Sequence, residues 1–232
     1  MNKKTKTGPV QFKRGIQPFM VRDCALIALA TGKRARTMKE LRDYLETIAP
    51  ESIYYHFWGS LLRPRFEDPE YHNDFASWCA HSLNDQVAAE RLAVVDPAQF
   101  QSLEDLRSAL IDILDERIDE LDVLPTTNQD KQFEFISSDI VVFATKRIIN
   151  EPSELKQVVP GLSLGSIFYH FIDARRRNPD SLDDFRSWLL SFGSSYQNTM
   201  LGVAEIDPYF TNLTTLRTNL SEVFSKSMQG GV

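Results

Sequence analysis

The sequence predicts an all-α fold, with room for a small strand pair, built as two tandem pseudo-symmetric helical repeats. Three observations carry this. "SIYYHF" at 52–57 returns as "SIFYHF" at 166–171, 114 positions later. Further blocks recur in the same order: "LAT" at 29 with "FAT" at 143, "KEL" at 39 with "SEL" at 153, "NDFASW" at 73 with "DDFRSW" at 183, "VVDPAQF" at 94 with "EIDPYF" at 205, and "LEDLRSAL" at 103 with "LTTLRTNL" at 213. Between them, apolar residues recur at helical rather than alternating spacing. The expected organisation is a basic arm over 1–16, a first repeat over 17–120, a linker over 121–130 and a second repeat over 131–228.

The elements follow in chain order. The opening segments, 19–31 and 133–145, are ambiguous between helix and strand. "FEFISSDIVVFAT" is rich in β-branched and aromatic residues, whereas Gly32 reads as a helix C-cap. Thr37 with Glu40 forms a capping box ahead of Leu41, Tyr44, Leu45 and Ile48. Pro152 sits where a first helical turn tolerates proline. Ser52 and Ser166 read as N-caps of the two "YHF" helices, and Asn73 and Asp183 as caps of the helices carrying Trp78 and Trp188. Ser102 precedes an amphipathic stripe, Leu103, Leu106, Leu110, Ile113 and Leu114, matched by Leu213, Leu216, Leu220, Val223 and Phe224. The joint, "DELDVLPTTNQDKQ", has no apolar period and reads as a linker.

The repeated histidine falls on the apolar face of its helix, with Ile53 and Phe57 in one copy and Ile167 and Phe171 in the other. A buried imidazole must satisfy its ring nitrogens. A backbone carbonyl or a carboxylate such as Asp74 or Asp184 is the expected partner. The alternative is a ligand-facing histidine near Arg63 or Arg177. Arg107 and Arg217, beside the leucine stripes, are expected to be structural.

The net charge is −6, with Lys3, Lys4, Lys6, Lys13 and Arg14 and no acid in the first 18 residues, which leaves −11 on the rest. An acidic body argues against nucleic acid, since phosphate binding needs clustered cations. The first residues lack the apolar core of a secretory leader, and no apolar run is long enough for a membrane span. A cytoplasmic protein without membrane contact is expected, with Cys24 and Cys79 as core thiols. An oligomer is possible on these grounds.

Sites for known chemistry are sparse. "GLSLG" at 161–165 fits G-x-S-x-G, but the histidine that follows it, His170, lies inside the next helix, which does not suit a nucleophile elbow. No C-x-x-C, H-E-x-x-H or P-loop occurs, so no metal and no cofactor is expected. Asp112, Asp115, Asp119 and Asp122 read as a solvated helix face.

The phrases "ATGKRARTMKEL", "SIYYHF", "NDFASW", "LAVVDP" and "LEDLR" resemble the bacterial and archaeal domain-of-unknown-function family DUF5752, here as a tandem duplication. The first copy carries the family's pattern at Gly32 and Ala35, Ser52 to His56, Asn73 to Trp78, Asp96 and Pro97, and Leu103 to Arg107. The second departs from it, with Lys146 in place of Gly32 and Asp183 in place of Asn73. The resemblance covers most of 19–117 and, more weakly, 133–220, and it implies a family rather than an activity.

The functional expectation is a non-catalytic regulatory or scaffolding protein that binds a small polar ligand or a protein partner. Tyr55, His56, Arg63 and Trp78 would line the pocket in the first copy, and Tyr169, His170, Arg177 and Trp188 in the second. Arginine would clamp a polar group, aromatics would stack on it, and histidine would add a hydrogen bond. Two alternatives stand beside it. One is an enzyme using His56 as general acid or base on a sugar or sugar phosphate. The other is a purely structural built-in dimer.

Overall fold

The structure, a computed structural model, describes residues 15–62 and 69–227. Its fold is mixed rather than all-α. Two strands of 17 residues each, β1 (Phe19–Ala35) and β2 (Phe133–Ile149), pair antiparallel in one ribbon. Both ambiguous segments are thus strand, and the pair is long rather than small. The middle of the ribbon explains why the sequence hides it. Ile27, Leu29, Val141, Val142 and Phe143 are all exposed, so no alternation of apolar and polar residues marks a buried face.

The register has an internal symmetry. Leu26 pairs with Ile140, its counterpart 114 positions on. Around this point the ladder runs evenly from Arg22↔Ala144 to Ala30↔Ile136, then shifts at both ends. A threonine shapes each shift. Thr31 Oγ1 donates to Phe135 O at 2.7 Å and accepts from Lys33 N, while Thr145 Oγ1 donates to Val21 O at 2.5 Å and accepts from Arg147 N. Gly32, expected as a helix cap, lies in the first shift with φ +75°, a conformation that costs glycine little.

Helices surround the two ends of the ribbon. On one side stand α1 (Met38–Leu45), α2 (Pro50–Trp58), α3 (Asp74–His81), α4 (Gln86–Ala93) and α5 (Leu103–Asp119). On the other are the short α6 (Leu155–Val158) and α7 (Leu164–Ile167), a π turn (Phe168–Asp173), α8 (Ala174–Arg177), α9 (Asp184–Leu190), α10 (Gln197–Ala204) and α11 (Leu213–Ser227). The stripes behave as spaced: Leu106, Leu110 and Leu114 are buried, as are Leu213, Leu216, Leu220 and Phe224. Asn73, Ser102 and Asp183 cap their helices as expected. Ser52 and Ser166 do not. Helix α2 begins two residues before Ser52, whose hydroxyl instead donates to Ile136 O at 2.8 Å. Ser163 caps α7 in place of Ser166.

The strands cross over. Helix α2 packs on β2, and α7 and the π turn pack on β1. Phe133, at the start of β2, stacks on Phe75 with ring centroids 5.2 Å apart. Phe19, at the start of β1, stacks on Phe185 at 5.3 Å. Each group of helices therefore closes its core with the strand that belongs, in sequence, to the other. Arg107 and Arg217 anchor the long helices, donating to Ile48 O at 2.8 Å and Leu162 O at 2.9 Å respectively, with Arg107 also reaching Leu45 O.

Candidate functional site

Both histidines are 3% exposed and bonded at both ring nitrogens. His56 Nδ1 lies 2.8 Å from Asp74 Oδ2, and its Nε2 accepts from the backbone N–H of Ile136 at 3.1 Å. His170 Nδ1 lies 2.7 Å from Asp184 Oδ2, and its Nε2 accepts from Arg22 N at 2.8 Å. A nitrogen that accepts from an amide carries no proton, so each ring is the neutral tautomer with hydrogen on Nδ1, donated to the carboxylate. Ile136 and Arg22 are again 114 positions apart.

The expected pocket residues gather around these rings. Tyr55 lies edge-on to His56 at 5.3 Å, and Trp78 packs against Phe133, its indole N–H donating to Lys131 O at 2.8 Å. A shallow cleft of about 310 Å³ runs past Tyr55, His56, Asp74 and Trp78. Arg63 lies outside the described residues. In the second set, Tyr169 is edge-on to His170 at 5.0 Å, and Trp188 donates to Gln17 O at 2.9 Å. Arg177 stacks over Tyr169 at 3.8 Å and bonds Asp184 and Asp173. Burial alone would push the Asp184 carboxyl up. The hydrogen bond from His170 and the Arg177 charge outweigh it and hold the group below the usual carboxylate range.

A larger cleft, about 580 Å³, opens elsewhere, where the two groups of helices meet. Tyr54, Trp58, Phe100 and Leu103 line it from one side, and Ile172, Arg175, Arg176 and Pro179 from the other. Two of its lining residues, Tyr54 and Arg176, converge on Asp173, which is buried behind them. That carboxylate accepts from Tyr54 Oη at 3.2 Å, Arg176 Nη2 at 3.0 Å and Arg177 Nε at 2.8 Å. Burial and the Asp173 charge push the Tyr54 phenol up, so it stays protonated as a donor. The π turn ends on Asp173, and such turns widen a helix to reposition side chains. The repeated residues do not mark this cleft: 114 positions before Asp173 the chain has Gly59. The available signal was the run Arg175–Arg176–Arg177, three cations on one turn with Asp173 two residues before it.

A model of the family of unknown function DUF5752 matches residues 16–225. The chain belongs to that family. Among solved structures, OrfY from Thermoproteus tenax is similar, with a TM-score of 0.78 and 25% identity, over 91% of this chain and 95% of that one. No curated protein matches.

For this DUF5752 member, the remaining candidates for chemistry are structural. Ser163 is a helix cap, its hydroxyl accepting from Ser166 N at 3.0 Å. Cys24 and Cys79 are buried free thiols, and burial pushes each up to about 12. Among the described residues, no three His, Cys, Asp or Glu side chains stand where they could hold a metal, and no helix is long and apolar enough to cross a membrane.

Proposed function

We propose that this protein is a non-catalytic binding protein, regulatory or scaffolding in role, whose small polar ligand sits in the cleft between its two halves. The observation that carries the reading is the cleft itself. At about 580 Å³ it falls in the range of small-molecule sites, and it mixes aromatic walls with arginine. The histidines support the same reading from the other side. General acid or base work needs a ring nitrogen free to reach substrate, and both nitrogens of each ring are engaged. On this reading Tyr55, His56 and Trp78, with Tyr169, His170, Arg177 and Trp188, hold strand to helix rather than ligand to protein.

The reading includes a history. The chain is a duplicated unit whose strands were exchanged, so that each copy's histidine receives the other copy's strand. The support is the recurrence of contacts at a common offset: Leu26 with Ile140, His56 with Ile136 against His170 with Arg22, and Thr31 with Phe135 against Thr145 with Val21. Two buried free thiols fit a reducing compartment such as the cytoplasm.

The test is a screen of small polar compounds against the full chain, scored by the thermal midpoint and by the NMR signal of the Trp58 indole N–H. A true ligand raises the midpoint and shifts Trp58 saturably. Ligands that shift Trp78 or Trp188 instead would return the site to the histidine clefts.

A further inference from the structure

We infer that the ligand of the central cleft is an anion joined to an apolar or planar body, with Arg175 as the anchor of its charged head. The inference rests on the reading of that cleft as the ligand site and names the class of ligand it takes.

The argument begins with three consecutive arginines. Arg176 and Arg177 share the Asp173 carboxylate, and Arg177 also reaches Asp184. Arg175 has no such partner: among the described residues no carboxylate lies within ion-pair distance of it. Its Nε donates to Phe171 O at 3.2 Å, its guanidinium lies 4.8 Å from the centre of the Phe171 ring, and its Nη2 is buried with no hydrogen-bond partner among the described residues. Burial lowers its pKa, the sign of a cation removed from water without full compensation.

The acids whose charge reaches Arg175, namely Asp183, Asp96 and Asp207, make their hydrogen bonds to other groups. Asp183 bonds Arg186 at 2.5 Å and caps α9. Asp96 accepts from Ala98 N at 2.9 Å, and Asp207 from Tyr209 N at 2.7 Å. Glu104, on the cleft wall, is held by Arg107 at 2.7 Å. A half-buried guanidinium with a spare donor and no paired carboxylate among the described residues is a poor structural element, because a desolvated charge costs free energy unless it is paired. It is a good receptor for a carboxylate, sulfate or phosphate, which a guanidinium binds with two parallel hydrogen bonds. An ion alone would leave most of the cleft empty. Tyr54, Trp58, Phe100 and Pro179 offer apolar and aromatic surface for a body attached to it.

The probes are phenyl phosphate and its uncharged counterpart benzyl alcohol, titrated into full-length protein and followed by the NMR signals of Arg175 Nε–H and the Trp58 indole. Phenyl phosphate is expected to shift both saturably and to bind at least ten-fold more tightly than benzyl alcohol. Inorganic phosphate is expected to compete. Arg175→Gln should weaken phenyl phosphate by about ten-fold or more. The first two comparisons use wild-type protein, so they decide the matter even if the variant does not fold. Equal binding of both probes at Trp58 overturns the anionic class and leaves the cleft as a ligand site. Shifts confined to residues outside the cleft overturn the assignment of Arg175. Silence at both Trp58 and Arg175 overturns this inference and the cleft together.

Discussion

The backbone N–H of Arg22 points at Nε2 of His170 from 2.8 Å, across 148 residues of chain. The hydrogen bond ties the first strand to helices of the second half, and Ile136 with His56 repeats it in reverse. Each imidazole is a three-way joint of strand amide, ring and carboxylate, set among phenylalanines.

Truncating either ring leaves a buried amide and a carboxylate without their partner. His56→Ala and His170→Ala are each expected to cost about 3 kcal/mol, the scale for breaking a buried hydrogen-bond network and opening a cavity. Urea unfolding measures it. A loss under about 1 kcal/mol in either variant would show that the joint is not structural.

Acid should loosen the second half through Asp184. Its folded pKa is depressed, so its contribution is present above the unfolded value of about 3.9 and is lost as pH falls through the folded value. Unfolding free energies measured from pH 5 down to pH 2 are expected to decline for the wild type as the pH falls below about 3.9. Asp184→Asn should be less stable at pH 7 and decline less steeply, and parallel curves would contradict this origin.

Cys24 and Cys79 should be inert in the folded protein. Each titrates at about 12 because burial disfavours the thiolate, and the thiolate is the reactive form. Ellman's reagent at pH 8 should label neither until denaturant is added. Rapid labelling of the native protein would contradict their burial.

Gly165 is where α7 meets β1. A Cβ there would collide with the backbone oxygen of Cys24 and the carboxylate of Asp23. Gly165→Ala is expected to destabilise the protein by about 1–3 kcal/mol, the usual cost of overpacking. Chemical denaturation checks it, and an unchanged midpoint would mean that β1 can shift away freely.

Much of the helical frame was legible. Asn73, Ser102 and Asp183 cap where their side-chain chemistry and spacing place them, and Leu106, Leu110 and Leu114 face inward as a helical period requires. The strands were not, for a physical reason. "ALIALAT" at 25–31 is written in alanine and leucine, which favour helix, and it is strand because β2 pairs with it over long range. Ser52 was misread for a related reason, since its hydroxyl serves β2 rather than its own helix. Local rules see neighbours within a few residues, and this protein's decisive contacts lie 80 residues or more apart in the chain. The Arg175 cleft is not legible in the repeated residues because it is built where the halves differ, with Asp173 against Gly59.

The crossing of the strands also sets a timetable. As the chain leaves the ribosome, α1 to α5 can form, but the ring of Phe133 that closes on His56, Phe75 and Trp78 has not yet been made. The first half must wait with its aromatic cleft open, and the second can be sealed only by a strand made long before it. Pairing at such separation is slow, because loop closure comes before the contacts that reward it. Until β2 is made the nascent first half leaves the Phe133 side of its core uncovered, and a chain cut between α5 and β2 would yield two incomplete cores that depend on finding each other.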